Sequence, residues 1–175
     1  AEGDCGACTV ALQDGARWRA VNACLIPLPS LQGQTLVTVE GLADGDTLHP
    51  AQAAMVDCGG SQCGYCTPGF VMSLFEACYR TDLDEAWRRD DQICGNLCRC
   101  TGYRPIREAL DRVAGCQPAD RFAAPAAEEA PRDVDYSHAG HTFLQPTSLD
   151  ALWDALDAHP EHTFVAVSYT HLTLP

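Results

Sequence analysis

The sequence predicts an α+β fold in which a small β-rich region precedes a helical one. Residues 1–43 contain alternating segments and a tight-turn signal, which are typical of strands. After about residue 44, apolar residues recur at helical spacing instead. Three closely spaced cysteine pairs accompany these segments, and such pairs hold two ligands with little loss of chain entropy. The pairs indicate that the fold serves a metal centre.

The strands are predicted near the start of the chain. Thr9–Leu12 and Arg17–Val21 flank Asp14-Gly15, a signal for the tight turn of a hairpin. Thr35–Val39 alternates between apolar and polar residues, which predicts a further strand.

Helical patterns follow the strands. Gly59-Gly60 closes the first helical segment, and Gly115 ends the last. The segments are predicted at His49–Asp57, Phe70–Arg80, Asp84–Arg89 and Ile106–Val113.

Two cysteine pairs lie just before helices that begin with proline. Cys63 and Cys66 lead into Pro68, while Cys98 and Cys100 lead into a similar proline. The exposed N–H groups and positive dipole ends of both helices would then face one shared centre. This arrangement suits an anionic cluster, since two ferric ions, two sulfides and four thiolates sum to about −2.

The last part of the chain changes character. Residues 117–140 are rich in Ala and Pro, which predicts a linker. Leu149–Ala158 is a predicted helix with Ser148 as its N-cap. His162–Ala166 then has the pattern of the first strand of a further domain.

Composition excludes several classes of partner. The net charge is −13 with no basic stripe, so nucleic acid and anionic membranes are poor partners, and no apolar run is long enough to span a membrane. The odd count of 11 cysteines, with no secretion signal, favours a reducing compartment such as the cytoplasm over a disulfide scaffold. The chain opens with Ala1 rather than Met, which predicts that preceding residues are missing.

The spacing of the cysteines leaves the metal and one ligand set open. None of the six histidines lies within a few residues of a cysteine pair, yet an all-cysteine zinc site remains an alternative because spacing cannot identify the metal. Plant-type ferredoxins use Cys-x4-Cys-x2-Cys and a distant Cys. Cys5, Cys8 and Cys24 supply the last three of these, and the first would fall immediately before Ala1.

A rival ligand set has the same spacing. Cys58, Cys63 and Cys66 also follow Cys-x4-Cys-x2-Cys, and arithmetic alone allows a fourth ligand from further along the chain. The candidates for that position are Cys94, Cys98 and Cys100.

Four motifs, in order along residues 1–116, resemble the iron–sulfur region of the xanthine dehydrogenase / aldehyde oxidase family of molybdenum hydroxylases. Agreement of that length and order is very improbable by chance. The motifs are Glu2-Gly-Asp-Cys-Gly-Ala-Cys-Thr-Val10, Val21-Asn-Ala-Cys24, Gly60-Ser-Gln-Cys-Gly-Tyr-Cys-Thr-Pro-Gly69 and Gly95-Asn-Leu-Cys-Arg-Cys-Thr-Gly-Tyr-Arg-Pro-Ile106.

The resemblance implies a domain order. Residues 1–43 would be a β-grasp, ferredoxin-like 2Fe-2S domain that lacks its N-terminal part, and residues 44–116 an all-α four-helix 2Fe-2S domain. A linker at 117–140 and the truncated start of an α+β FAD-binding domain at 141–166 would follow. Residues 167–175 depart from the family pattern where a glycine pair should cradle the flavin, which suggests foreign sequence.

The resemblance also assigns the cysteines. It gives the first 2Fe-2S cluster to Cys5, Cys8 and Cys24, with the fourth ligand missing before Ala1. Gln62 and Cys100 fall on positions that lie near the molybdopterin in the family. The second cluster is assigned to Cys63, Cys66, Cys98 and Cys100, and the remaining thiols, which match no family ligand, are Cys58, Cys78, Cys94 and Cys116.

The implied function is electron transfer. Electrons from a molybdopterin centre on a large partner subunit would pass through two 2Fe-2S clusters to FAD and then NAD, and this chain would hold no catalytic residue. The overall pattern is most like the fused iron–sulfur/flavin small subunit of bacterial members of the xanthine dehydrogenase type. The alternatives are a small subunit of an aldehyde, carbon monoxide or isoquinoline type, or a four-cysteine zinc module for protein contacts.

Overall fold

A computed structural model of the chain describes residues 3–124 and 132–165. The described residues divide into two compact units, one within 1–24 and 34–128 and the other within 25–33 and 129–175. All 11 cysteines fall in the first unit. Within the described ranges, no helix combines the length and the apolar character that a membrane crossing needs.

The first unit contains a three-stranded antiparallel sheet in the order β2-β1-β3. Strands β1 (Thr9–Asp14) and β2 (Arg17–Asn22) form the predicted hairpin, and the turn between them uses a glycine at φ +57°. Strand β3 is only Leu36–Val37, shorter than the predicted Thr35–Val39, because the chain turns into a 3-10 helix at Val39–Gly41. The alternation of Thr35–Val39 therefore overstated the length of this strand.

Four helices follow the sheet, at positions close to those predicted. Helix α2 is apolar on nearly all sides, and it is correspondingly buried against the sheet and against α1 and α4. Helix α4 buries one apolar stripe and exposes its charged face. The helices are α1 (Pro50–Asp57), α2 (Thr67–Tyr79), α3 (Ala86–Gln92) and α4 (Arg104–Val113).

One hydrophobic core joins the sheet to the helices. Trp18 from β2 packs edge-on against Phe75 of α2, with ring centroids 5.2 Å apart. The same core continues to Leu110 of α4. The division predicted between residues 43 and 44 therefore separates two motifs that share one interior, since α2 covers the sheet.

The range predicted as a linker, 117–140, is fixed at both described ends. Trp18 donates its indole N–H to the carbonyl of Phe122 at 2.9 Å, and the Arg121 guanidinium donates to the carbonyl of Gly41 at 2.6 Å. Strand β4 (Val134–His138) occupies the other end, so the linker prediction is wrong there. Alanine and proline content indicates little regular structure, but it carries no information about which segments pack.

The second unit pairs β4 with β5 (His141–Gln145) in an antiparallel hairpin. Helix α5 (Leu149–Ala158) follows, and the Ser148 hydroxyl accepts a hydrogen bond from the N–H of Ala151 at 3.2 Å, as an N-cap does. The predicted strand at 162–166 is wrong for residues 162–165, which form no strand. Residue 166 and the tail 167–175, expected to be foreign sequence, lie outside the described residues.

Candidate metal centres

The loop before α2 presents two thiols from one turn of chain. Cys66 is the residue immediately before the helix and is buried, whereas Cys63 is exposed. Gly64 between them has φ +84°, a conformation that glycine adopts without steric cost, and a Cβ there would meet nothing within 4 Å. The loop therefore leaves open space at Gly64, between the two cysteines in sequence.

The loop before α4 is held by hydrogen bonds to its own residues. The Thr101 hydroxyl lies 3.0 Å from the Cys98 sulfur, and the Thr101 N–H points at the same sulfur at 3.5 Å. Tyr103, at φ 66°, accepts a hydrogen bond from the Cys98 N–H on its hydroxyl at 2.9 Å. Its ring also packs edge-on against Phe70 of α2. Tyr103 thus positions the loop against the neighbouring helix.

The four thiols of these loops meet in two pairs. The Cys63 side chain interacts with that of Cys100, and the Cys66 side chain interacts with that of Cys98. Each pair joins one cysteine of the first loop to one of the second. The structure therefore brings together the four residues that the resemblance assigned to the second cluster.

The pairs also differ in their electrostatics. Burial raises the pKa of Cys66 to about 11, with its bond to Cys98 adding to the effect. At Cys98, burial pushes the pKa upward, but hydrogen bonds from Thr101, the Cys100 N–H and Cys66 outweigh it and lower the pKa. At Cys63, the Tyr65 N–H is the largest of the influences that lower the pKa. Donors aimed at these sulfurs stabilise negative charge on them.

Helices α2 and α4 both point their N-termini at this site. Helix α2 starts directly after Cys66, and α4 starts shortly after Cys100. At the other end of the pair, the Gly115 N–H donates to the carbonyl of Ala77 at 2.9 Å, so the two helices run in the same direction. Two positive dipole ends therefore face the thiols and favour an anionic group.

The donor set fits a 2Fe-2S cluster. Such a cluster is held by four thiolates on two irons, whereas zinc needs ligands that converge on one ion. In the parts of the chain that the structure describes, no three His, Cys, Asp or Glu side chains are grouped closely enough to hold a single metal ion, the four paired thiols included. Two thiol pairs, backbone N–H donors at sulfur and two helix N-termini match the needs of an anionic diiron group.

The first site is less complete in the structure. The Cys8 thiol interacts with that of Cys24, and burial is the main cause of the raised pKa of Cys8. The Ala23 N–H donates to the carbonyl of Cys8 at 3.3 Å and holds the two segments together. Cys5 is exposed, and its carbonyl accepts a hydrogen bond from the Leu97 N–H at 2.9 Å. The structure thus juxtaposes two of the three residues assigned here.

The other cysteines lie apart from these loops. Cys94, a possible fourth ligand of the rival set, has its sulfur 3.7 Å from an Asp91 oxygen. Cys58 ends α1 and packs against the hydrophobic core. The rival set would need Cys58 beside Cys63 and Cys66 in place of at least one of their partners, Cys98 and Cys100. Gln62 and Cys100 are both exposed. Gln62 immediately precedes Cys63 in the sequence, and the Cys100 side chain interacts with that of Cys63.

A buried asparagine that the sequence analysis missed connects the two cysteine loops. The Asn96 amide donates to the carbonyl of Gly6 at 2.9 Å and to the Thr9 hydroxyl at 3.0 Å, and it accepts from the Ser73 hydroxyl at 2.6 Å. Close packing accompanies these bonds, since a Cβ on Gly69 would lie 2.1 Å from the oxygen of Gly6. Gly6 lies in the first cysteine loop and Gly69 lies in α2, and their mutual contact could not be read from the spacing of residues in the sequence.

Comparison with known protein families shows which proteins this unit is similar to. Residues 38–111, which include the four paired cysteines, match the model of a family described as a 2Fe-2S binding domain. Among curated proteins, a xanthine dehydrogenase of Oryza sativa subsp. japonica is 45% identical over 117 residues, or 62% of this chain and 8% of the relative. An aldehyde oxidase of Homo sapiens is 43% identical over 124 residues, or 65% of this chain and 9% of the relative. The chain thus spans less than a tenth of the length of these relatives.

Solved structures give the same picture. The aldehyde oxidoreductase of Desulfovibrio gigas matches 64% of this chain and 12% of its own, with a TM-score of 0.54 and 38% identity. The quinoline 2-oxidoreductase of Pseudomonas putida 86 matches 62% of this chain and 65% of its own, with a TM-score of 0.54 and 33% identity.

The match over residues 38–111, together with the thiol pairs inside it, defines an iron–sulfur domain. The relatives narrow that class. The relatives that match 62–65% of this chain are xanthine dehydrogenases, aldehyde oxidases and an aldehyde oxidoreductase, so the resemblance of the four motifs to this family of molybdenum hydroxylases is confirmed. The named relatives are oxidoreductases.

Proposed function

We propose that the chain relays electrons from a molybdopterin centre on a large partner subunit, through two 2Fe-2S clusters, to FAD and NAD. The observation that carries this proposal is the pairing of four thiols, two from each loop, at the N-termini of α2 and α4. When bound, a 2Fe-2S cluster supplies one-electron uptake and release. The chain's residues supply the ligands and the environment that set its potential.

In this proposal, Cys63, Cys66, Cys98 and Cys100 hold one cluster. The N–H groups of Tyr65 and Thr101 and the Thr101 hydroxyl donate to the ligand sulfurs. Such donors stabilise the more negative, reduced form and raise its potential. The positive ends of the two helices act in the same direction.

The two sides of this site differ in exposure, which supports a direction for the relay. Cys66 and Cys98 are buried, whereas Cys63 and Cys100 are exposed. Gln62 is exposed next to Cys63. We assign Gln62 and Cys100 to the face that receives electrons from the partner subunit, and the buried pair to the interior of the unit.

Cys5, Cys8 and Cys24 are the proposed ligands of the second relay point. The hydrogen bonds of Asn96 hold their loop against the segment that carries Cys98. A fixed separation between two one-electron sites is what a relay needs. The fourth ligand of this centre is proposed to precede Ala1.

The substrate belongs to the partner subunit, and xanthine is the leading candidate because relatives named xanthine dehydrogenase match the chain at 45% identity. The match over 65% of a quinoline 2-oxidoreductase chain supports a second candidate, oxidation of an N-heterocycle. Because other relatives are named aldehyde oxidase, an aldehyde is a third candidate substrate. Assaying the complex from the source cells against xanthine, quinoline and an aldehyde separates these three.

The second unit is proposed to begin the FAD-binding domain. Its hairpin of β4 and β5, followed by α5, supports an α+β start. From the same assignment, we propose that the protein works in a reducing cytoplasm and that NAD is the final electron acceptor. Flavin binding by the complete subunit, followed by absorbance, tests this part.

The first experiment is metal analysis of the chain purified without oxygen. We expect at least two irons and two acid-labile sulfides per chain, and an EPR signal after reduction with dithionite. Stoichiometric zinc without sulfide, persisting after attempted cluster reconstitution, would contradict electron transfer and favour the zinc module.

Cys98→Ser tests the ligand assignment, with Cys94→Ser as its matched control. We expect the first variant to lose most of the iron and sulfide of this centre, because it removes a thiolate that belongs to a thiol pair. The second should retain both, since its sulfur lies beside Asp91. Iron, sulfide and visible absorbance are measured for both. Equal loss in the two variants would contradict the assignment.

A further inference from the structure

A third close pair of thiols lies outside both candidate centres. Cys78 is completely buried near the end of α2, and Cys116 is exposed just beyond α4. Their side chains are close enough for Cys116 to influence the pKa of Cys78. Neither residue matches a ligand position of the family motifs, so this pair has no role in the proposed relay.

Backbone hydrogen bonds hold the two residues side by side. The Gly115 N–H donates to the carbonyl of Ala77 at 2.9 Å, and the Gln117 N–H donates to the carbonyl of Cys78 at 2.9 Å. The bonds flank Cys116 on both sides. Two neighbouring thiols on segments held together on both sides meet the main requirement for a disulfide, which is close approach of the two backbones.

We propose that Cys78 and Cys116 form a disulfide by exchange with a low-molecular-weight disulfide such as oxidised glutathione. The exposed Cys116 thiolate attacks one sulfur of the reagent, forms a mixed disulfide and releases one glutathione thiolate. The Cys78 thiol then loses its proton and attacks the Cys116 sulfur, which releases the second glutathione. The two protein thiols are oxidised by two electrons, and the reagent is reduced to two thiols.

The environment of each thiol sets the order of these steps. Burial raises the pKa of Cys78, with the neighbouring Cys116 adding to the effect, so Cys78 is a poor first nucleophile. Cys116 is the member that solvent reaches. Once Cys116 carries the mixed disulfide, contact between the two side chains makes the second step intramolecular.

The bond would join the far ends of two helices that share the candidate metal centre. Helix α2 begins after Cys66 and ends beside Cys78, while α4 begins after Cys100 and ends shortly before Cys116. The disulfide would therefore tie these helices at the end opposite to the paired ligands. This inference goes beyond electron transfer and does not depend on it.

Peptide mapping tests the proposal on the whole chain. Cleavage after arginine and glutamate leaves Cys78 alone in residues 77–80 and Cys116 alone in residues 113–121. The chain is treated anaerobically with increasing concentrations of oxidised glutathione, and its remaining thiols are then alkylated. After cleavage without reduction, the masses of the peptides are measured by mass spectrometry. We expect these two peptides to become linked, with a combined mass lower by two hydrogens.

Cys116→Ser and Cys94→Ser complete the experiment. The first should abolish the link and leave Cys78 reduced, and the second, which removes another exposed thiol, should leave the link unchanged. A stable glutathione adduct on Cys116 with Cys78 still alkylated would overturn the proposal, as would linkage of Cys116 to another cysteine at the same reagent concentration. Iron and sulfide are measured on the same samples, so a failure of the electron-transfer proposal is recorded separately.

Discussion

Asn96 shows how much one side chain can hold in place. Its amide makes three hydrogen bonds to residues of the Cys5–Cys8 loop, β1 and α2, and it is 2% exposed. Every hydrogen-bonding atom of the amide has a partner. Removing a partner from a buried group costs more than an ordinary hydrogen bond contributes, because the remaining group stays without water.

We therefore expect Asn96→Leu to lower the free energy of unfolding by about 3 kcal/mol or more, since it removes three buried hydrogen bonds and leaves the Ser73 hydroxyl without its acceptor. Urea denaturation gives the value. Gln13→Leu is the control, because that side chain makes one exposed hydrogen bond, to the carbonyl of Ala124, and should change stability by less than about 0.5 kcal/mol. Similar effects of both substitutions would refute this role.

His49 is a buried histidine whose surroundings favour the neutral form. Its Nδ1 accepts a hydrogen bond from the Ala51 N–H at 3.2 Å, so the proton lies on Nε2, which is 3.0 Å from the Tyr79 hydroxyl. Burial lowers the pKa of His49, and the nearby Asp120 only partly offsets this. The unfolded chain consequently binds a proton more readily than the folded chain does.

Stability should therefore fall as the pH drops below about 6.5, the ordinary pKa of histidine, by at most about 1.4 kcal/mol per pH unit from this residue. His49→Asn keeps an N-cap acceptor and removes the titration, so its stability should fall less between pH 7 and pH 5. Urea denaturation at several pH values measures both slopes. Parallel slopes in the two proteins would show that other groups control the acid response.

At the scale of elements, α2 contains a glycine where alanine would be intrinsically better. Alanine at position 69 would gain up to about 1 kcal/mol in helix propensity. However, its Cβ would lie 2.1 Å from the Gly6 oxygen and 2.7 Å from the Asn96 amide nitrogen. Backbone and buried polar atoms line this contact, so the clash outweighs the gain.

We expect Gly69→Ala to destabilise the protein by about 2 kcal/mol or more, despite the better helix former. Gly95→Ala is the matched control, because a Cβ there meets nothing within 4 Å, and it should be nearly neutral. Thermal unfolding compares the two variants. A stabilising Gly69→Ala would mean that the first cysteine loop does not rest on α2.

The elements themselves were largely predictable. Periodicity located α1 to α4 because burial of an apolar face leaves a regular pattern, and Asp14-Gly15 located the first hairpin because few residues suit its turn. The hairpin of β4 and β5 was missed, since Ala139-Gly140 is a weaker turn signal and most of its residues are exposed. The pairing of Cys63 with Cys100 was beyond prediction, because it depends on how α2 and α4 pack together.

At the scale of the whole molecule, the hydrophobic core of the first unit ends at Phe122. The buried residues that form this core come from the sheet, from α1 to α4 and from the segments that connect them, and none comes from β5 or α5. The carbonyl of Phe122 also accepts the indole N–H of Trp18. The hydrophobic core of the first unit is thus formed by residues that precede the second unit's β4.

A chain that ends at Ala124 should therefore unfold within about 1 kcal/mol of the first unit in the longer chain. Fluorescence of the buried Trp18 follows that unit, and iron content is measured alongside. A chain that ends at Val113 provides the contrast, because it also removes Phe122 from the core, and it should be markedly less stable. Equal loss of stability on both truncations would contradict the division into units.

The hydrogen bond between Asn96 and Gly6 also bears on the timing of biosynthesis. The two residues are 90 positions apart, and Asn96 precedes Cys98 by only two. While the ribosome is still extending the chain, the hairpin of β1 and β2 can form from local contacts, but the loop of Cys5 and Cys8 cannot reach its final packing. The first cysteine loop can therefore reach its final packing only after the chain has been extended beyond Asn96, next to the last cysteine pair.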